Sequence, residues 1–334
     1  VDSVVTDEKL SEMSDKIVAT IKEKYPKDHV VSVEEVQDLV ELTLIDENYY
    51  REVKSFILYR AKHNMDRKVM NDFENYITDK DILEIIESVQ EEFDNQRYPI
   101  EYRYMKFESF TKDNMSEDEL LSALTRAASE LTSKETPDWE IIAARFLMYE
   151  IDLEIKRNEE RFDIVDFKSK IDYLTSAGLY GEYIKKNYSS EDFDELGAYL
   201  NKERDNLFTY SGLDLVKKRY LIKTFTGDII ESVQEMFMGI AMHLAIPEDD
   251  SVAFAKRLYD VLSNLKATMA TPTMTNARKP FNQLSSCFID TVPDTLKGIY
   301  RSITNFAEVS KHGGGMGLYF GKVRALSLIH ISEP

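Results

Sequence analysis

A chain of 334 residues, 43% hydrophobic and 31% charged, has the make-up of a globular protein with a sizeable core and room for two or more domains. The net charge of −19 argues against a nucleic-acid polymer or an anionic membrane as partner, while leaving single nucleotides open. One cysteine excludes an internal disulfide framework and a multi-cysteine zinc site, and it fits a reducing cytoplasm. The opening residues carry no signal-peptide pattern. The most apolar stretch, Met236 to Ile246, contains His243 and is too short to span a bilayer.

Most of the chain reads as helix. Ser32 and Glu35 form a capping box before a helix with Val33, Val36, Leu39 and Val40 on one face. The next helix aligns Tyr49, Val53, Phe56, Ile57 and Ala61. A third is expected from Thr78, with Ile82, Ile85, Ile86, Val89 and Phe93 in register. A polar, aromatic connector broken by Pro99 follows. Ser116 and Glu119 cap a helix bearing Leu120, Leu124, Ala127, Ala128 and Leu131. Thr136-Pro137 opens another, whose apolar face is Trp139, Ile142, Ala143, Phe146 and Leu147, and Gly178 is a stop further on.

The texture changes after about residue 262, where Pro272, Pro280 and Pro293 punctuate the chain. Leu284 to Ile289 reads as a short strand. Asp294 is expected to cap a helix bearing Leu296, Ile299, Tyr300, Ile303 and Phe306, with Lys311 and His312 in its last turn and Gly313-Gly314-Gly315 at its end. Met316 to Val323 reads as a second strand, so 284–323 forms a strand–helix–strand unit.

Two motifs in this region are specific together: Ala270-Thr271-Pro272-Thr273, and Gln283-Leu284-Ser285-Ser286-Cys287-Phe288 with its lone thiol. They resemble the large, catalytic subunit of ribonucleotide reductase, at the start of its ten-stranded barrel. Val31 through Ala61 resembles the helical part of an ATP-cone, whose leading basic, glycine-containing strand segment would precede Val1. Segments 116–150 and 204–222 resemble the helical domain that follows. The resemblance implies a mainly α N-terminal region leading into the first strands of an α/β ten-stranded barrel. It divides the chain into a partial cone (1–66), a connector (67–115), a helical domain (116–262) and the barrel start (263–325). The tail 326–334 continues no clear pattern, resembles translated adapter sequence and is expected to be non-native, and the chain, which opens on Val1, is expected to be a piece of a larger protein.

In that family the position of Cys287 supplies reducing equivalents and ends in a disulfide with a downstream partner outside this chain. A lone cysteine is otherwise most often a small buried hydrophobe. Thr271, Ser286, Cys287, Gly314 and Gly315 are the implied substrate contacts. Alternatively the threonines cap their own turn and the glycines end a helix. Strict alternation puts Ser286 and Cys287 on opposite faces of a strand, so one of them must act from the strand end or through its backbone. Asp294, Thr295, Leu296 and Arg324 are implied at an effector site, Asp294 equally as a helix cap and Arg324 equally as a solvated charge. His29, His63, His243, His312 and His330 show no metal-ligand spacing, so no metal is expected; Glu34-Glu35 and Asp249-Asp250 read as helix-start charges.

The expectation is therefore a fragment of a class I ribonucleoside-diphosphate reductase large subunit, inactive alone. It implies a ribonucleoside diphosphate substrate, ATP and deoxynucleoside triphosphate effectors, and a small radical-generating subunit that carries the radical cofactor. It also implies a homodimer of the full-length protein. The alternatives are a cobalamin-dependent class II reductase and a non-catalytic regulatory nucleotide-binding protein built on cone-like helices.

Overall fold

A computed structural model describes residues 6–26, 30–94, 96–112 and 114–324, with backbone only at 62, 63 and 65–67. Val1, His29, the His63 side chain, His330 and the tail 326–334 lie outside the described residues. The chain forms two compact units, 1–108 and 109–334.

The first unit holds α1 (Asp7–Lys24), α2 (Val33–Asp46), α3 (Tyr50–Glu74), α4 (Lys80–Glu92) and α5 (Ile100–Glu108). The Ser32–Glu35 capping box is present: each partner satisfies a backbone N–H that the first turn would otherwise leave open. Asp79, rather than Thr78, caps α4, because its carboxylate takes the N–H groups of Asp81 and Ile82. Ile82, Ile86 and Val89 of α4 are buried as their spacing requires, and so are Phe73, Ile77, Ile100 and Phe107. On α3, Val53 is buried but Ile57 faces outward.

The second unit begins with α6 (Glu117–Glu130) and α7 (Trp139–Arg161), two helices packed along their apolar faces. The helix expected from Pro137 starts two residues later, since Pro137 and Asp138 form a preceding turn. Next come α8 (Phe167–Ser176), α9 (Glu182–Asn187), α10 (Ser190–Ala198), a 3₁₀ turn (Lys202–Leu207) and α11 (Tyr210–Arg219). The next helix, α12 (Val233–Ala245), is buried on almost every side and packs on α13 (Ser251–Ser263) and on the 3₁₀ turn. A helix apolar all round belongs in a core, which explains the apolar run around His243. Among the described residues no helix is long and apolar enough to cross a membrane.

The chain then forms α14 (Thr271–Asn276), β1 (Cys287–Thr291), α15 (Leu296–Lys311) and β2 (Gly315–Tyr319). The proline-stiffened turn expected at Thr271 is the first turn of α14; proline is tolerated there because its missing N–H has no helical partner anyway. The strands run parallel, with Cys287 opposite Gly315 and Thr291 opposite Tyr319. Parallel strands cannot be joined by a tight turn, and α15 supplies the crossover. Both strands are shorter than expected and shifted in bounds. Gln283 to Ser286 stays outside the ladder, where the Gln283 amide bonds both the N–H and the carbonyl of Ser285.

Candidate functional site

Cys287 is the first residue of β1 and is exposed. Alternation along β1 leaves Cys287, Ile289 and Thr291 open and draws Phe288 and Asp290 inward. Ser286 precedes the ladder, and its carbonyl accepts the Gly315 N–H at 2.7 Å. Its hydroxyl turns toward Cys287, with Oγ 3.6 Å from Sγ. Being outside the strand, Ser286 thus engages the facing glycine through its backbone and the thiol through its side chain.

The glycine turn opposite has a steric reason. A Cβ on Gly314 would lie 2.8 Å from Val309 Cγ1 and 2.9 Å from Phe288 Cε2, so the close approach of α15 and β1 requires a residue without one. Gly315 has open space by comparison, with its nearest neighbour, the Ser286 carbonyl, at 3.7 Å.

Thr271 sits apart from the thiol in bonding terms. Its Oγ1 lies 3.4 Å from Tyr220 Oη, and its carbonyl accepts from Thr275. What ties α14 to the thiol segment is Asn276, whose Nδ2 donates to Gln283 O at 3.0 Å and to His312 O at 3.4 Å.

Behind α14 lies a buried ion pair absent from the sequence expectations. Glu231 and Arg278 are both fully buried. Arg278 Nε donates to Glu231 Oε1 at 2.5 Å, its Nη2 donates to Oε2, and Tyr180 Oη donates to Oε1 at 2.5 Å. The Ile222 N–H completes the carboxylate's partners. The remaining guanidinium N–H groups hold Met274 O at 2.8 Å and Tyr220 O at 2.7 Å. Burial alone would make Arg278 easier to deprotonate, but Glu231 outweighs it and holds the charge more firmly. Burial, helped by the Glu231 charge, pushes the Tyr180 phenol well up. Gly239 on α12 makes room: a Cβ there would come 2.6 Å from Tyr180 Oη and 2.8 Å from Arg278 Cδ. Neither Glu231 nor Arg278 announces itself by spacing, because the pair joins positions 47 apart in the chain.

The four implied effector residues gather at the other end of the strands. Thr295, not Asp294, caps α15, its hydroxyl accepting from Gly298 N at 3.1 Å. Asp294 is drawn away by Arg324, whose Nε lies 2.5 Å from its Oδ2 and whose N–H reaches Oδ1. The hydrogen bond from Arg324 lowers the Asp294 pKa. Arg324 is therefore paired rather than simply solvated. Leu296 projects outward, 74% exposed. At about 3.3 Å per step, β1 alone carries the chain roughly 13 Å from Cys287 to Thr291 before this cluster begins.

Among the described residues no group of three or more His, Cys, Asp or Glu side chains could hold a metal ion. A cavity of about 920 Å³ lies within the first unit, lined by α1, α2 and α3 through residues such as Met13, Ile17, Val40, Leu44 and Phe56. It is apolar and has no reactive group of the kind found at Cys287.

Comparison with known proteins matches three stretches of the chain. Residues 2–65 match the ATP cone domain, 206–282 the all-alpha domain of ribonucleotide reductase and 285–330 its barrel domain. The last match reaches residue 330, inside the segment 326–334 expected to be non-native. The ribonucleoside-diphosphate reductase subunit alpha of Treponema pallidum is 50% identical over 297 residues, covering 89% of this chain and 35% of the relative. The subunit of the same name from Helicobacter pylori is 34% identical over 64% of this chain and 26% of its own length. That from Enterobacteria phage T4 is 33% identical over 66% and 29%. The chain thus spans about a third or less of these relatives. With its helical units leading into the first two parallel strands of a barrel, it belongs to the family of ribonucleotide reductase alpha subunits.

Proposed function

We propose that this chain forms the N-terminal part of a class I ribonucleoside-diphosphate reductase alpha subunit acting in the cytoplasm. The observation that carries this is the exposed Cys287 thiol at the start of a parallel strand pair, opposite Gly315, whose missing side chain would meet only the Ser286 carbonyl within 4 Å. Cys287 is the reducing thiol. With a second cysteine outside this chain it forms a disulfide, while the ribose 2′ C–O bond breaks, hydrogen takes the place of the hydroxyl and water leaves. Two thiols supply both electrons, and thiol exchange restores them.

Ser286, Gly314 and Gly315, with Thr271 on α14, hold the diphosphate substrate beside the thiol. Asp294, Thr295, Leu296 and Arg324 take a nucleoside triphosphate effector, the guanidinium being suited to phosphate oxygens once it leaves Asp294. Helices up to residue 66 act as an ATP-cone responding to ATP or dATP. Residues 67–115 connect it to a helical domain at 116–262, and 263–325 begin the barrel. The radical originates on a small partner subunit carrying the radical cofactor, and the full-length protein works as a homodimer. Relatives named as diphosphate reductases favour this reading over a cobalamin-dependent one.

The test is nucleotide reduction by the longer protein with its radical-generating subunit and a thiol reductant. The 334-residue chain alone is expected to be inactive. Cys287→Ser should keep substrate affinity and stop multiple turnovers, since serine cannot form the disulfide. Normal turnover by Cys287→Ser would remove the thiol from the chemistry. Activity that needs adenosylcobalamin and no second subunit would favour the cobalamin class.

A further inference from the structure

We propose that Asn276 is a positioning residue, whose side-chain amide sets the spacing between the loop that delivers Cys287 and the glycine turn that faces it. The role rests on the thiol reading given above, but the clasp itself does not.

Three segments meet at this point: the end of α14, the lead-in to β1, and the turn between α15 and β2. Asn276 Nδ2 donates to Gln283 O in the lead-in and to His312 O at the head of the turn, at 3.0 and 3.4 Å. Both partners are carbonyl oxygens, so only the amide nitrogen can face them, and its two hydrogens match two acceptors. Without Asn276 both carbonyls would lose the side-chain donor they share. Two further contacts close the same junction. The Phe281 ring packs on the His312 ring with centroids 4.1 Å apart, and Gly315 N donates to Ser286 O at 2.7 Å.

Asn276 is itself held from behind. It ends α14, and Lys279 N donates to its carbonyl. Two residues on, Arg278 is fixed in the core by Glu231 and Tyr220 O. Tyr183 Oη donates to the neighbouring Ala277 carbonyl at 2.6 Å. The amide therefore projects from an anchored backbone toward two loops that have no regular structure of their own. A short polar side chain on a rigid base is the arrangement that holds a reacting atom in place without touching it.

Amide hydrogen exchange of this chain tests the clasp directly. Asn276→Leu keeps similar volume and removes both donors; Asn276→Ala removes the arm. Each should speed exchange of the Gly315 amide by about tenfold, the effect of losing one to two net hydrogen bonds, with the amides of α12 unchanged. Asn276→Gln, which keeps the donor on a longer arm, should recover part of the protection. Exchange at Gly315 within about twofold of the parent in both Leu and Ala variants would overturn the clasp. In the longer reductase, Asn276→Leu should lower kcat by about tenfold or more with a smaller change in substrate KM, because misplacing the thiol affects chemistry more than binding. Unchanged kcat beside lost protection would make Asn276 merely structural and overturn its positioning role. A parent protein without nucleotide reduction would count against the functional reading alone, and the exchange result would still decide the clasp.

Discussion

Replacing Arg278 with Met should be among the most damaging single changes in the second unit. Both members of the Arg278–Glu231 pair are fully buried, and Glu231 gathers four donors from Arg278, Tyr180 and Ile222. Removing the arginine strands a carboxylate out of water, a loss of about 3–5 kcal/mol for a buried pair. The carbonyls of Met274 and Tyr220 lose donors as well. Replacing both partners, Arg278→Met with Glu231→Leu, removes the stranded charge and should return the protein to within about 2 kcal/mol of the parent, the residue being the unpaired Tyr180 and Ile222 donors. The chain's only tryptophan, Trp139, is buried in α7 of the second unit, so its fluorescence reports this unit rather than the first. With a urea slope of about 2 kcal/mol per molar, the single variant should lower the midpoint by about 2 M and the double variant by half that or less. A single-variant shift under about 0.5 M, or a double variant no better than the single, would refute the idea that a stranded charge dominates.

Gly314→Ala should destabilise the strand–helix–strand unit by about 1–3 kcal/mol, because its Cβ would press on Val309 and Phe288, and exchange at the β1–β2 amides should rise accordingly; normal protection would refute the steric account. Asp205 is buried, and burial raises its pKa to about 6 from 3.8 even though Gln234 donates to it. A carboxyl with a raised folded pKa stabilises fully below its unfolded pKa and loses that contribution as pH rises through the folded value. Stability should therefore fall by about 2–3 kcal/mol between pH 4 and pH 7, and Asp205→Asn should flatten the profile; an unchanged slope in the variant would assign it to other groups. Arg324→Ala in the longer protein should weaken effector binding by tenfold or more and blur substrate selection while sparing thiol chemistry, and calorimetry with unchanged effector affinity would remove Arg324 from that site.

Much of this protein was legible from local pattern. The capping boxes at Ser32–Glu35 and Ser116–Glu119 are satisfied as spaced, because a cap is an exchange between residues three apart. Leu124, Ala127 and Ala128 of α6, and Ile142, Ala143 and Phe146 of α7, are buried as their period demands. The strand–helix–strand order was readable for the same reason, and the lone thiol beside two serines marked the candidate site. Tertiary structure decided what local pattern cannot carry. Thr295 displaced Asp294 as the cap because Arg324, 30 positions away, claims the carboxylate. Glu231 found Arg278 across 47 positions, through space that Gly239 leaves open on α12. Asn276 reaches His312 across 36 positions. Periodicity and capping are short-range geometry written along the chain, whereas these bonds depend on which distant groups the packed helices bring within 3 Å or so, and on the high cost of leaving a buried polar group without a partner.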